Sequence, residues 1–368
     1  MHMSPSHDPS IASDPYLSIA DAETLILTRE DIRQMVLQTG LDVLMDEMIA
    51  RLTAAMSTFR AEDASIPSRQ GFRYTHPAPG LIEWMPCMSD GGGRATIKIV
   101  GYHPSNSGER NLPTILSTVS AYDTTSGHLI CMMDATLITA LRTGAVSAIA
   151  SRLMASPRST TLGIIGAGAQ AVTQLHAVSR VLDIDRVVVY DHDPFALSTF
   201  PLRTRTVSGH LDVKSASCDQ VVESADVLCT VTSVGVGDGP VFNGVEPKPW
   251  LHVNAVGSDL PGKTELPLAL LHRSFVCPDF RNQAIEEGEC QLMPPEKIGP
   301  NLFELVQNSE KYRFVQEGLS VFDSTGWTLE DEVAMTLFME LAAEFNLGMQ
   351  LPIENVTTDA LNPYHFAT

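Results

Sequence analysis

The run Leu162-Gly163-Ile164-Ile165-Gly166-Ala167-Gly168-Ala169-Gln170-Ala171 constrains this chain more than any other stretch. An apolar strand pattern, Thr161–Ile165, leads into two glycines and then into a helical pattern, Gln170–Val181. Gly166 permits a tight turn, and Gly168 lets backbone approach a pyrophosphate. Ala171 stands where a third small residue packs helix against strand. The helix start offers free N–H groups and the positive end of a dipole. A second apolar strand pattern, Arg186–Tyr190, ends in Asp191, 25 residues after Gly166. A carboxylate there hydrogen-bonds ribose hydroxyls and repels a 2′-phosphate, so the pattern predicts a site for NAD rather than NADP. The competing reading, a glycine turn of any α/β domain, lacks a reason for Asp191. His192 and Asp193 read as loop residues rather than ligands.

The surrounding chain is large enough to build such a domain and more. Its 368 residues suggest two or three domains. Hydrophobic residues at 44% and charged residues at 18% mark a globular balance. Acidic residues outnumber basic ones, 44 to 24, for a net charge of -20. That field argues against nucleic acid and anionic membranes as partners and favours a cationic small molecule. No stretch reaches the ~18 apolar residues of a membrane span. The segment Met1–Pro15 lacks the basic and apolar regions of a signal peptide. Cys87, Cys131, Cys218, Cys229, Cys277 and Cys290 form no CxxC pair and no metal-ligand spacing. They read as reduced thiols of a cytoplasmic protein, with no metal site expected.

Before the glycine turn the periodicity differs. Residues 1–20 form a polar lead-in, expected to be flexible. Thr24–Thr28 reads as a strand, with Thr28 capping a helix over Ile32–Met56. Arg60–Pro79 reads as a loop. The runs Leu81–Met85, Ala95–Tyr102, Thr114–Tyr122 and His128–Asp134 read as strands, separated by turns such as Gly91-Gly92-Gly93 and Thr125-Ser126-Gly127. That spacing predicts an antiparallel sheet or barrel. Ala135–Met154 is helical and rich in small residues. After the break at Ser156–Ser159, strands expected at Val213–Ser215, Val227–Thr230, His252–Val256 and Ser274–Val276 alternate with helices, which predicts a parallel sheet. The tail is helical over Leu329–Phe345.

Two further groups of residues carry chemistry. The loop Asn254-Ala255-Val256-Gly257-Ser258-Asp259-Leu260-Pro261-Gly262 follows a strand of the second region, at the edge where open sheets bind ligands. Asp259 is there a candidate proton carrier or a solvated loop carboxylate. Arg69, Glu83, Lys98 and Arg142 lie in or beside apolar stretches, where period-two alternation also accounts for each as a residue on a solvated face. Glu287 and Glu289 read as solvated charge.

Together with Ile82–Pro86, Thr96–Lys98, Asn111–Thr114, Leu141–Ala145, Gly257–Leu266 and Phe322–Gly326, these stretches resemble the ornithine cyclodeaminase/μ-crystallin family over residues 23–365. Within it, Glu83–Met85, Thr136–Ser151 and Val321–Gly326 are similar to the bacterial lysine-cyclising branch. The resemblance implies an α/β fold in which a Rossmann-type doubly wound parallel sheet domain (156–322) is inserted in an α+β substrate and dimerisation domain. The latter comprises 21–155, with an antiparallel sheet, and a returning helical segment, 323–368. It implies a homodimer that uses NAD to convert L-lysine to L-pipecolate and ammonia, by removing a hydride and returning it; L-ornithine to L-proline is the near alternative.

The resemblance also implies roles. Arg69 and Lys98 would hold the substrate carboxylate, Glu83 would face the distal amine, and Thr325 would touch substrate. Asp259 would act as acid and base, and Lys98 could also act on ammonia or water. Thr114, Arg142, Thr143, Gly166, Gly168, Ala169, Gln170, Asp191, Thr232, Asn254, Ala255, Val256, Gly257 and Ser324 would form the nucleotide site. Many members carry Ala where this chain has Gly144. A ketimine or imino-acid reductase, or an amino-acid dehydrogenase, would have no distal amine for Glu83 to orient. A non-enzymatic nucleotide-binding protein would need neither Asp259 nor Lys98.

Overall fold

A computed structural model describes residues 23–364 apart from 90–92, 210, 357–358 and 360. The lead-in at 1–20 and most of the triple-glycine turn therefore lie outside the described residues. The chain opens with strand β1 (Thr24–Leu27) and helix α1 (Arg29–Thr39). Thr28 and Asp31 exchange side-chain and backbone hydrogen bonds in a capping box, which starts α1 as its sequence predicts. The single helix expected up to Met56 is instead two. It breaks at Gly40, where φ is 84°, and α2 continues over Leu41–Thr58.

The segment expected to be a loop at 60–79 contains β2 (Ala64–Ser65) and β3 (Gln70–Tyr74). Both pair with β4 (Gly80–Ser89). Strand β3 is almost wholly exposed, so its sequence lacks the apolar alternation that marks a half-buried strand. Then come β5 (Arg94–Tyr102), the short α3 (Asn106–Glu109), β6 (Ile115–Asp123) and β7 (Leu129–Asp134). A strand near the carboxyl end, Met349–Leu351, closes the far edge against β1. Neighbouring strands are antiparallel except β1 and β7, which run parallel. Alternation turns Glu83, Met85, Thr96, Lys98, Val119 and Met133 to the helix-covered side, where they are buried. Ile82, Met88, Ile99, Leu116 and Met132 point the other way and are exposed.

Helix α4 (Thr136–Met154) leads from this sheet to the second one. The second region holds β8 (Thr161–Ile165), α5 (Ala169–Val181), β9 (Arg186–Tyr190), α6 (Pro194–Ser208), β10 (Asp212–Ser215), α7 (Cys218–Ser224) and β11 (Val227–Thr230). It continues through β12 (His252–Ala255), α8 (Leu268–Leu271), β13 (Phe275–Pro278), α9 (Arg281–Glu287), α10 (Leu302–Gln307) and β14 (Ser320–Asp323). Its seven strands are all parallel, in the order β10-β9-β8-β11-β12-β14-β13. The winding reverses between β8 and β11, which opens a crevice at the carboxyl ends of those strands. Strand β14, absent from the reading of the sequence, inserts between β12 and β13. From it α11 (Thr328–Phe345) returns to the first sheet, and β15 is the Met349–Leu351 strand already described.

Helix α4 is buried on nearly every side, which explains its lack of a polar face. Its small residues let neighbours come close. A Cβ added to Gly144 would lie 2.7 Å from the Thr173 carbonyl oxygen of α5 and 3.3 Å from the Ala177 methyl. Alanine here requires α5 to shift by tenths of an ångström, and a branched side chain requires more. Gly144→Val should therefore lower stability by about 1–3 kcal/mol through overpacking. Urea unfolding checks this: an unchanged midpoint would show that α4 and α5 separate freely.

Candidate active site

The glycine turn has the form expected for a nucleotide cradle. Gly166 has φ of 99°, and a Cβ there would meet the Val231 carbonyl oxygen at 2.8 Å. Gly168 serves as the N-cap of α5 with no side-chain cap, is exposed, and has open space where a Cβ would project. The first N–H groups of α5 thus face an open site, as a phosphate requires. Asp191 closes over the turn, accepting from Ala167 N at 2.6 Å and Asp193 N at 2.8 Å. Asp193 caps α6 and His192 is exposed, so neither is built as a ligand. Arg203 of α6 donates to the Ala167 carbonyl at 2.7 Å, so the Ala167 peptide is held at both ends. Opposite the turn, Ser324 Oγ is buried with no hydrogen-bond partner. An open helix terminus and an unpartnered buried hydroxyl fit NAD.

The other expected nucleotide residues have distinct commitments: most lie at the carboxyl ends of the parallel strands or on the adjoining helices α4 and α5, whereas Thr114 stands at the head of β6 in the first sheet. Thr232 donates from both its N and its Oγ1 to Glu265 Oε1, each at 2.7 Å, and Gly257 N donates to Glu265 Oε2 at 2.9 Å. Ala255 accepts from Ser324 N at 2.9 Å, and Val256 is half-buried beside it. The Asn254 side chain is committed within the sheet, to Ser151 Oγ at 2.9 Å and to His252 at 3.2 Å. The structure therefore does not offer the Asn254 side chain to a ligand. Burial lowers the His252 pKa to about 4, so this network holds a neutral imidazole. Thr143 donates inside α4 to the Thr139 carbonyl, Gln170 bonds Thr173, and Thr114 accepts from His103 N at the head of β6.

The four charged residues of the first region are not on a solvated face; they converge. Lys98, 1% exposed, lies 2.6 Å from Asp331 Oδ2. Arg142, also buried, donates to Asp331 Oδ1 at 3.1 Å and to Glu330 Oε2 at 2.6 Å. Arg69 donates to the carbonyls of Thr325 and Gly326 at 2.7 and 3.2 Å. It also contacts Glu83 at 3.4 Å and Glu287 at 2.7 Å. The register sets Lys98 opposite Met85 and Glu83 opposite Val100, so both point inward two residues apart. Burial raises the Glu83 pKa, and of the nearby charges Arg69 lowers it while Asp259 raises it. Asp259, partly open to solvent, pairs with buried Lys263 at 2.9 Å. A cavity of about 290 Å³ opens beside Arg69, lined also by Glu83, Pro261, Phe280, Gln283 and Glu287.

Glu287 and Glu289 depart from the reading as solvated charge: both are buried. Glu287 faces Arg69, and burial pushes its pKa up to about 8. Glu289 accepts from Glu265 N at 2.6 Å and Leu266 N at 3.3 Å, fixing the loop after Asp259. In the same way Asp279 accepts from Thr325 N and Gly326 N, both at 2.7 Å. The Thr325 hydroxyl is held by Asp279 at 3.0 Å and by Gln283 at 2.7 Å. A short acidic run looks like a solvated face in one dimension. Only the folded chain shows the Arg69 guanidinium against Glu287 and backbone N–H groups aimed at Glu289. Lys263, Asp279, Glu330 and Asp331 likewise carry no signal in the sequence that separates them from surface charges. The last two stand in the first turn of α11, where acidic residues are ordinary complements of a helix dipole.

This combination of a dinucleotide crevice and a buried cation cluster defines a class of nicotinamide-dependent amino-acid enzymes. The chain matches the model of the ornithine cyclodeaminase/mu-crystallin family over residues 29–346, and it belongs to that family. It is 44% identical to the L-lysine cyclodeaminase of Streptomyces rapamycinicus over 343 residues, covering 93% of this chain and 99% of that protein. A solved lysine cyclodeaminase, described for its recognition of L-lysine, L-ornithine and L-2,4-diaminobutyric acid, superposes with a TM-score of 0.90 at 47% identity. That match covers 94% of this chain and 99% of the other. An archaeal alanine dehydrogenase dimer with bound NAD superposes with a TM-score of 0.78 at 28% identity, over 90% and 100% of the two chains.

Asp191 carries the test of the nucleotide site. Asp191→Ala should weaken NAD binding and relax the exclusion of NADP, since both the ribose partner and the repelling charge are lost. Fluorescence titration with NADH and NADPH checks it. An unchanged preference would show that the ribose is read elsewhere.

Proposed function

We propose that this protein is an NAD-dependent L-lysine cyclodeaminase, forming L-pipecolate and ammonia, with L-ornithine to L-proline as the near alternative activity. The observation that carries the reading is the meeting of inward-facing Lys98, Arg142, Arg69 and Glu83 with Asp259 of the nucleotide domain. The lysine cyclodeaminase relatives agree with it. Residues 21–155 with 323–368 form the substrate and dimerisation part, and 156–322 the nucleotide domain.

Bound NAD would accept a hydride from the substrate Cα and return it after ring closure, so no net redox change occurs. Gly166, Gly168, Ala169, Gln170 and Asp191 would hold its phosphates and ribose, and Ser324, Thr232 and 254–257 its remaining length. Lys98 and Arg69 hold the substrate carboxylate and fix the direction of the Cα–H bond, a positioning effect. Glu83 faces the distal ammonium across the Arg69 side of the pocket. That amine must lose a proton before it attacks, and Asp259, partly open to solvent, is the carboxylate proposed to take it. Its neighbour Lys263 keeps a positive charge beside it: burial opposes the ammonium, but Asp259 raises the Lys263 pKa above its ordinary value. The acidic chain as a whole suits a dibasic amino acid.

The apolar outer face of the first sheet supports a homodimer. Ile82, Met88, Ile99, Leu116 and Met132 lie on adjacent strands and are each about two-fifths exposed, from 38% to 45%. Apolar side chains exposed together on one face of a sheet mark an interaction surface. Met132→Lys should shift sedimentation from twice the chain mass toward a single chain while the far-ultraviolet spectrum is kept. A wild-type protein that sediments as a single chain would sink this assembly.

The activity itself is tested by incubating the protein with L-lysine or L-ornithine and catalytic NAD. Ammonia should be released with no net change in NADH absorbance, whereas stoichiometric NADH turnover would indicate a reductase or dehydrogenase. Asp259→Asn keeps size and loop hydrogen bonding but loses basicity. Turnover should fall about 10²–10⁴-fold with NAD affinity nearly unchanged. Near-normal turnover in that variant would remove Asp259 from the mechanism.

A further inference from the structure

Helix α11 carries two consecutive carboxylates, Glu330 and Asp331, into the interior, where both are almost fully excluded from solvent. A pair of buried carboxylates is costly unless each meets a cation. Asp331 meets two, from separate elements. Its Oδ2 lies 2.6 Å from Lys98 Nζ of β5, and its Oδ1 accepts from Arg142 Nε of α4 at 3.1 Å. Glu330 takes another edge of the same guanidinium, accepting from Arg142 Nη1 at 2.6 Å.

The surroundings of Lys98 leave Asp331 a distinct task. Its cross-strand partners on β4 and β6 are Met85 and Val119, both apolar. The other charges felt at Lys98 are Arg142 of α4 and Arg69 ahead of β3, and both are positive. Burial lowers the Lys98 pKa most, Arg142 lowers it further, and Asp331 opposes them; the balance stands at about 8. Asp331 engages at most one of the three donors of the Lys98 ammonium, and no other hydrogen-bond partner of Nζ is present among the described residues, so donors remain for a bound anion.

We infer that Asp331 is a positioning residue that keeps Lys98 protonated and aimed at the substrate carboxylate, while Glu330 holds Arg142 beside it. This rests on the proposed role of Lys98 as carboxylate holder. The linkage has a definite sign. Lys98 attracts the carboxylate only as an ammonium, so affinity is lost as pH rises through its pKa. Removing the Asp331 charge lowers that pKa, and the loss arrives at lower pH.

The test compares Asp331→Asn with Glu330→Gln in the full-length enzyme. The readouts are the pH dependence of kcat/KM for L-lysine and NMR titration of Lys98 in 13C-lysine-labelled protein without substrate. In Asp331→Asn, the alkaline limb of kcat/KM and the Lys98 titration should both move down by about one pH unit or more. Near pH 8, KM for lysine should rise about fivefold or more, with kcat falling less. Glu330→Gln, whose carboxylate touches Arg142, should leave the limb in place. Should Asp331→Asn fail to fold, Asp331→Ser takes its place. A rate lowered equally at every pH with an unmoved limb would overturn the proposal. So would an equal shift in Glu330→Gln, or a Lys98 that titrates near the ordinary lysine value of about 10.4 in wild type and variant alike. Failure of the wild type to release ammonia would instead overturn the proposed activity and leave the Lys98 titration to decide the role of Asp331.

Discussion

An ammonium and a guanidinium buried side by side repel one another, and in a medium of low dielectric that repulsion is large. Lys98 and Arg142 are in this position, and the carboxylates of α11 make it tolerable. The arrangement explains much of the topology around it. Helix α11 must leave β14 of the nucleotide sheet and return to the first sheet, because its first turn supplies the counter-charges. Helix α4 must bridge the two sheets, because it carries Arg142. The small-residue packing of α4 on α5, with Gly144 against Thr173, then fixes how closely the nucleotide domain approaches the cation cluster.

A second tier of buried carboxylates performs a different task. Glu265, Glu289, Asp279 and Asp323 each accept from backbone N–H groups of the loops at the carboxyl ends of the parallel strands. Burial raises the pKa of Asp323, to about 7, and that of Glu289 well above its ordinary value. These loops have no regular ladder to satisfy their donors, so side chains supply the acceptors. The result is a braced rim of loops that carries Asp259, Ser324 and Thr325. Rigidity of that kind is what holding a Cα–H bond in line for transfer requires.

Two kinds of residue were legible in one dimension. The glycine turn with its flanking strands is a local signal, and the structure has it at the switch point of the parallel sheet. The inward alternation of Glu83 and Lys98 is also local, though alternation alone could not say which face met water. Strand β3 went unread because both its faces are largely exposed, and β14 because it sits inside a motif that reads equally as a loop. The helix break at Gly40 lay within an otherwise continuous apolar period.

The sequence by itself determined the doubly wound nucleotide domain, the carboxylate at the end of its second strand, and the family whose motifs the chain carries. Those properties depend on residues within a few turns or strands of each other, and periodicity and spacing report them directly. Tertiary structure alone decided which charges are buried, which of them pair, and therefore which are ionised. The partner of Lys98 lies on a helix near the other end of the chain. Glu287 finds Arg69 only after the two sheets close on each other, and Glu289 finds the backbone of another loop only after the parallel sheet assembles. Electrostatic energies depend on distance and burial in space, and a sequence records neither.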